Sequence, residues 1–471
     1  MGQEISSTQF TADDFEEFGE RLARETGLLE EWLESGGLAS DEQVGGFELE
    51  AWLVDEEMRP SPINETLLDR LGDPLVVPEL ARFNLEINGT PQALHGDALT
   101  RLADELTATW SKCEGLARDL SAHLMMIGIL PTLRLQDFDA ANMSSMQRYT
   151  ALDEQLAQLR GHPELHIDLH GRDQLRFVHE GVMLESATTS FQIHLKVDAA
   201  QAGRFYNASK ILSAPMVAVS ANSPYFLGAD LWAESRICLF EQSVQVGLDP
   251  NEQRVTLGRG YVDSIADCFR INQEHYPVLL PQLMDEPEAE LPHLRLHNGT
   301  IWRWNRPLVG FSGHGRPHIR IEHRVVPAGP TVTDSLANAA FYFGLVNDLA
   351  RQPVAPELRL PFGQARANFY QAARLGLEAE LVWLGGERGG VRALCREHLL
   401  PRARNGLAML GIDRVEIDRW LGVIDGRLEN GQNGAAWQRA WVARHGSDMA
   451  ALTAAYLERQ QSGRPVHEWD L

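Results

Sequence analysis

The sequence predicts an α+β protein in which several short strands carry ionisable side chains on one face, followed by a helical region. Three observations support this. First, four segments alternate with period two. Gly46-Phe47-Glu48-Leu49-Glu50-Ala51-Trp52 places Glu48 and Glu50 on one side, and Phe83-Asn84-Leu85-Glu86-Ile87-Asn88 does the same with Asn84, Glu86 and Asn88. Ser190-Phe191-Gln192-Ile193-His194-Leu195-Lys196 aligns Gln192, His194 and Lys196, while His318-Ile319-Arg320-Ile321-Glu322-His323-Arg324 aligns Arg320, Glu322 and Arg324. Second, long stretches such as Asp97 to Met126 have helical spacing, with Leu99, Leu102, Leu106 and Trp110 on one face. Third, the composition shifts toward helix after Val354.

In chain order, Thr11 to Ser35 reads as an acidic surface helix with Phe15, Phe18, Leu22 and Leu29 on one side. Gln43 to Val54 is the first strong strand, and Ile63 to Leu71 is a short helix after the turn at Pro60 to Pro62. The helix from Asp97 is read to Met126, with Leu124 to Leu130 as a buried strand at its end. Asn142 to Leu159 contains another helix, Glu164 to Phe177 a hairpin, and Thr189 to Val197 the second strong strand. Asp198 to Ser220 is helical despite Pro215, and Glu234 to Val246 and Thr331 to Leu349 are further helices. Phe362 to Glu380, Val391 to Leu410 and Gly434 to Gln460 complete the helical set. The expected organisation is a catalytic region over residues 1–350 and a helical region over 351–471 packed on it.

The chain has 471 residues, and its net charge of -24 comes from 66 acidic against 42 basic residues. That balance opposes non-specific nucleic-acid binding, which needs a positive surface. It does not oppose a small anionic substrate held through cations. No apolar run is long enough to cross a bilayer, so no membrane partner is expected. The opening Met1 to Ser7 lacks the basic and apolar regions of a signal peptide, and Gly2 with Ser6 matches the myristoylation pattern only loosely. Cys113, Cys238, Cys268 and Cys395 are scattered and form no metal motif or disulfide framework. A cytoplasmic location is the expectation. A homo-oligomer is carried as a further expectation.

Two carboxylates at i and i+2 of a strand point the same way and can share a hard cation. Glu48, Glu50, Glu86 and Glu322 supply such oxygens, with His194 as a nitrogen ligand or phosphate contact. Each segment alone is also what an amphipathic strand with one wet face looks like; four together point to a site. Arg303, Arg306, Arg320 and Arg324 offer planar forks for carboxylate or phosphate, or for structural ion pairs. On residues alone, a phosphoryl-transfer site, a non-catalytic ligand-binding or regulatory protein, and a metallohydrolase all stay open.

The ordered set of motifs resembles the type 2 glutamate–cysteine ligase family. Gly46-Phe47-Glu48-Leu49-Glu50 is similar to that family's first strand, and Phe83 to Asn88 to the next. Ser220-Ala221-Asn222-Ser223-Pro224-Tyr225-Phe226, followed by Trp232-Ala233-Glu234-Ser235-Arg236, resembles its most recognisable run. Gly299 to Pro307 and Arg320 to Arg324 resemble its late strand pair. The resemblance implies a glutamine-synthetase-like antiparallel catalytic sheet with flanking helices. It implies ATP and Mg²⁺ as cofactors, and joining of glutamate or a related carboxylate to a small-molecule amine through an acyl phosphate. On that reading Glu48, Glu50, Glu86 and Glu322 hold the metal. His194, Gln192, Lys196 and Arg320 lie at the nucleotide, and Arg236, Arg306 and Arg324 contact phosphate or substrate carboxylate. Gln192 stands where the family's His-x-His pattern has its first histidine, and Phe191 where it often has glycine. That departure bears on the amine, which need not be cysteine. Arg148 and Tyr149 match an Arg-Tyr pair near the substrate loop.

Overall fold

The computed structural model describes residues 4–39, 42–247, 252–313 and 315–471. Helix α1 (Ala12–Ser35) starts at a Thr11–Asp14 capping box and ends at Gly36, whose φ of 73° suits only a residue without Cβ strain. Strand β1 (Val44–Asp55) follows, then α2 (Asn64–Leu71), β2 (Val76–Pro78), β3 (Asn84–Asn88) and β4 (Gln92–Ala93). Helix α3 (Ala98–Asp119) precedes β5 (Ala122–Met125), α4 (Gln147–Arg160) and the hairpin β6 (Glu164–His170) and β7 (Gln174–Glu180). Next come β8 (Phe191–Val197), α5 (Ala202–Ser220), the short pair β9 (Tyr225–Phe226) and β10 (Ala229–Asp230), and α6 (Ser235–Ser243). Helices α7 (Ala266–His275) and α8 (Pro292–Gly299) lead to β11 (Asn305–Phe311), β12 (Pro317–His323) and α9 (Val332–Ala350). Beyond them lie α10 (Phe362–Leu375), the hairpin β13 (Glu380–Val382) and β14 (Arg388–Gly390), and α11 (Val391–Leu394). One π-helical turn joins α11 to α12 (Leu400–Met409), and α13 (Arg414–Asn430), α14 (Gly434–His445) and α15 (Met449–Gln461) end the fold.

Eight strands form one sheet in the order β11-β12-β8-β1-β3-β2, with β4 and β5 pairing on other parts of β1. Every pairing in it is antiparallel. The fold is therefore the α+β class with an antiparallel sheet that the sequence predicts. Register decides which side chains meet. Glu50 lies opposite Glu86, Glu48 opposite Gln192, His194 opposite Glu322, Arg320 opposite Lys196 and Arg306 opposite Glu322. Because alternation is strict, the ionisable side chains of four strands collect on one face, and Leu49, Phe191, Ile193, Leu195 and Ile321 on the other.

The apolar face is covered by α5 and α9, whose residues are almost all buried. Helix α12 crosses α9 at two glycines: a Cβ on Gly344 would lie 2.2 Å from the Ala403 carbonyl oxygen, and one on Gly406 1.8 Å from that of Gly344. The main hydrophobic cluster of the described residues runs from Ile5 to Trp469, and a small second one joins Ala221, Ala233 and Ala435. Arg427 of α13 and Asp334 of α9 form an ion pair at 2.8 Å inside the main one. Among the described residues, no helix is long and apolar enough to cross a membrane. All four cysteines are buried free thiols.

Four sequence readings of elements need correction. Helix α3 ends at Asp119 rather than Met126, because Ser121 adopts a φ of 57° and turns the chain so that β5 pairs with β1. Of the expected buried strand Leu124 to Leu130, only Leu124 and Met125 are extended, at the end of β5. Residues 434–460 form two helices, broken at Gly446 with φ 94°. Helix α10 stops at Gly376, and α13, for which the periodicity gives no expectation, fills much of the space under α9 and α12.

Glu241 of α6 anchors the start of the late strand pair. Its Oε1 accepts from Trp304 Nε1 at 2.8 Å and from the Tyr370 hydroxyl at 2.9 Å. Burial pushes its carboxyl from 4.5 up to about 7, against the pull of those two hydrogen bonds. A raised folded-state value means that its stabilisation is complete below pH 4.5 and lost as the pH rises toward 7. Glu241→Gln keeps the acceptor and removes the titration. Its thermal midpoint should fall less than that of the wild type across this interval; parallel curves would show that Glu241 titrates normally.

Candidate functional site

The polar face of the sheet opens into a cavity lined by carboxylates together with Arg306, Arg324 and Trp302. The metal-ligating side chains of this face fall into two groups, of which His194 and Glu322 lie outside the cavity lining. In the first, the ligand atoms of Glu48, His194 and Glu322 lie within 4.8 Å of one another. His194 Nε2 is 3.3 Å from Glu48 and 3.8 Å from Glu322. Both ring nitrogens are buried without a well-aligned hydrogen-bond partner. Arg306 grips Glu322 as a fork, with Nε at 2.8 Å from Oε2 and Nη2 at 2.9 Å from Oε1. Arg324 adds Nη1 at 3.2 Å. Burial alone would raise the Glu322 carboxyl, but Arg306, Arg324 and His194 together hold it down at about 2.

The second group is Glu50, Glu79 and Glu86, again with ligand atoms within 4.8 Å of one another. Glu50 accepts from the Ser190 amide at 2.6 Å and from Gln192 Nε2 at 2.8 Å. Glu50 and Glu79 form no ion pair among the described residues. Burial raises the Glu50 carboxyl, with Glu86 adding to the rise and Arg324 opposing it. The Glu79 carboxyl is driven well above the ordinary range by burial and then by Glu86, Glu50 and Glu185. Glu185 lines the same cavity, and burial with the charge of Glu50 pushes it to about 8.

These groups fit divalent cations unequally. Three clustered carboxylates, Glu86 buried and Glu50 and Glu79 half-buried, are a hard, all-oxygen donor set, the kind that suits Mg²⁺. Glu48, His194 and Glu322 form a mixed set, in which two arginines already balance Glu322. The hard cation fits best between Glu50, Glu79 and Glu86.

Of the residues singled out from sequence, Glu48, Glu50, Glu86, Gln192, Arg306 and Arg324 all line the cavity. His194 sits within the first group. Lys196 and Arg320 face each other across β8 and β12, farther along the same face, and do not line the cavity. Gln192 bridges a carboxylate and an arginine: its amide nitrogen donates to Glu50, and its oxygen accepts from Arg324 Nη1. Arg148 and Tyr149 line the opposite wall from α4.

Arg236 departs from expectation. It is 2% exposed and lies behind the face, with Nε on Glu234 at 3.2 Å and Nη2 on the Arg324 and Val325 carbonyls at 3.1 and 2.7 Å. Its Nε and Nη2 are taken by protein acceptors, its guanidinium lies beside Trp304, and it does not line the cavity. Arg303, likewise, is buried beside Tyr276. Glu79 and Glu185 are not marked by any sequence pattern. Neither sits in an alternating strand. Glu79 follows Pro78, and reaches the cluster because β2 pairs with β3, Val77 opposite Glu86.

A family model described as glutamate-cysteine ligase family 2 (GCS2) matches residues 44–455. No curated protein is significantly similar in sequence. Among solved structures, glutamate–cysteine ligase (gshA) from Francisella tularensis in complex with AMP aligns with a TM-score of 0.57 at 12% identity, covering 90% of each chain. A bifunctional glutathione synthetase from Pasteurella multocida aligns with a TM-score of 0.50 at 11% identity, covering 89% of this chain and 53% of that one. At these identities the likeness shows a shared fold.

Proposed function

Since the chain belongs to glutamate-cysteine ligase family 2, whose model spans residues 44–455, we propose that it is an ATP-dependent carboxylate–amine ligase. Glutamate, through its side-chain carboxylate, is the acid, and a small-molecule amine is the acceptor. The observation that carries this reading is one cavity on the sheet's polar face that is lined both by a hard-cation carboxylate cluster and by Arg306 and Arg324. The carboxylate oxygen of the acid attacks the γ-phosphorus, and the bond to the β-phosphate breaks. The amine then forms the C–N bond, loses a proton and releases phosphate.

Each residue has a role in this scheme. Glu50, Glu79 and Glu86 would hold Mg²⁺, with Glu48 and His194 as the second candidate set. When bound, the metal would neutralise phosphate oxygens. Arg324 and Arg306 are held in the orientation of a clamp by Glu322, so no reorganisation is needed when charge moves onto the transferred group. Gln192 needs one donor and one acceptor to link Glu50 with Arg324, and a neutral amide supplies both. Its replacement of a histidine is therefore compatible with an active ligase. The apolar wall of Leu152 and Val182 keeps water from a reactive acyl phosphate.

The test is formation of ADP and phosphate with Mg·ATP, glutamate and a panel of amino acids and polyamines. Turnover should require both acid and amine. Absence of nucleotide binding by calorimetry in the presence of Mg²⁺ would reject the ligase reading, and hydrolysis of a substrate without ATP would favour a metallohydrolase.

A further inference from the structure

The run Ser220 to Phe226 and the following Glu234 to Arg236 carry the sequence resemblance, yet none of these residues lines the cavity. Their contacts explain what they do instead. Asn222, Ser223, Glu234 and Arg236 are 0 to 2% exposed. The Asn222 amide donates to Glu234 Oε2 at 2.8 Å, and Glu234 Oε1 accepts from Arg236 Nε at 3.2 Å. Ser223 Oγ accepts from the Arg236 amide at 3.1 Å. Arg236 Nη2 then reaches the carbonyls of Arg324 and Val325, at the point where the chain leaves β12. Arg324 itself extends forward to Glu322 and Gln192.

The other end of this chain of contacts lies in the last two helices. Asn222 Nδ2 donates to the Tyr456 hydroxyl of α15 at 2.8 Å, and Gln438 Nε2 of α14 donates to Asn222 Oδ1 at 3.0 Å. Gly434 packs so tightly there that a Cβ would lie 1.9 Å from Asn222 Oδ1. A fully buried polar network costs much if left half-satisfied. Here it runs without a break from α14 and α15 to the backbone of one cavity arginine.

We infer that Glu234 and Arg236 are positioning residues: a buried relay that fixes Arg324 from behind and couples it to α14 and α15. The geometric part stands on these contacts alone, while its consequence for turnover rests on the ligase reading. A lysine at position 236 cannot span Glu234 and two carbonyls at once.

The test has two arms. In nitrogen NMR, the Arg324 guanidinium signals, identified by their loss in Arg324→Lys, should be sharp and slow to exchange in the wild type. Arg236→Lys should broaden them. Arg427→Lys, a change in an equally buried ion pair, should lower stability and leave them unchanged. Unaltered Arg324 signals in Arg236→Lys overturn the inference whatever the activity. Should that variant fail to fold, the isosteric Glu234→Gln should broaden the same signals, and unaltered signals there overturn the inference equally. In turnover, Arg236→Lys should lose about 100-fold with little change in nucleotide affinity. The double variant Arg236→Lys/Arg324→Lys should lose no more than the poorer single variant. Additive losses would overturn the relay. Wild-type protein that forms no ADP would instead reject the ligase reading, and the NMR arm decides the relay by itself.

Discussion

Glu322→Gln is expected to abolish turnover and to destabilise the protein more than Glu48→Gln, which should also abolish turnover. The difference follows from how each carboxylate is held. Glu322 is 1% exposed and accepts the Arg306 fork and an Arg324 nitrogen. Removing its charge leaves two guanidinium groups facing each other in a buried setting, and breaking a buried pair from one side costs about 3–5 kcal/mol. Glu48 pairs with His194 at 3.3 Å, and its side chain is 13% exposed against 1% for Glu322. The pH dependence has the corresponding sign. Because the folded-state value of Glu322 is depressed to about 2 from 4.5, its contribution is present above pH 4.5 and lost as the pH falls toward 2. Urea unfolding of both variants, with ADP formation measured alongside, checks the pair. Wild-type stability in Glu322→Gln would mean that the fork contributes nothing to folding.

The second large effect concerns Glu79. Glu79→Gln should raise the stability of the metal-free protein and remove its stabilisation by Mg²⁺. Three carboxylates whose oxygens lie within 4.8 Å of one another repel in a buried setting, and the Glu79 carboxyl is the one displaced well above its ordinary range. An amide of the same shape relieves that repulsion and discards a cation ligand. Nucleotide affinity in Mg²⁺ should fall about 10- to 100-fold, the cost of weakening a metal site. Thermal unfolding with and without Mg²⁺ reads both effects. If Mg²⁺ stabilises Glu79→Gln as much as the wild type, the hard cation is held elsewhere, with Glu48, His194 and Glu322 as the remaining set.

Glu48, Glu50, Glu86 and Glu322 are legible in the sequence because a strand sorts alternate residues onto opposite faces whatever its neighbours are. Glu79 and Glu185 are not, since each lies outside a regular strand and no local pattern says where such a carboxylate points. Arg236 shows the converse. Its motif marks it as important, but the motif cannot distinguish a guanidinium that grips a substrate from one that grips the backbone of another arginine. The end of α3 is illegible for a related reason: Ser121 takes a left-handed conformation because β5 must pair with β1, a contact remote in sequence.

By itself, then, the sequence determined the α+β class, the polar face of each strand and the ligase family, all of which depend on local periodicity and on motif order. Only the tertiary structure decided that the carboxylates divide into two groups, that Glu322 is bound by arginines while Glu50 and Glu79 are not, and that Arg236 lies outside the cavity lining. These outcomes depend on cross-strand register and on burial. Both are set by pairings between segments tens to hundreds of residues apart, and surroundings hold one carboxylate as an anion while burial raises another above its ordinary range.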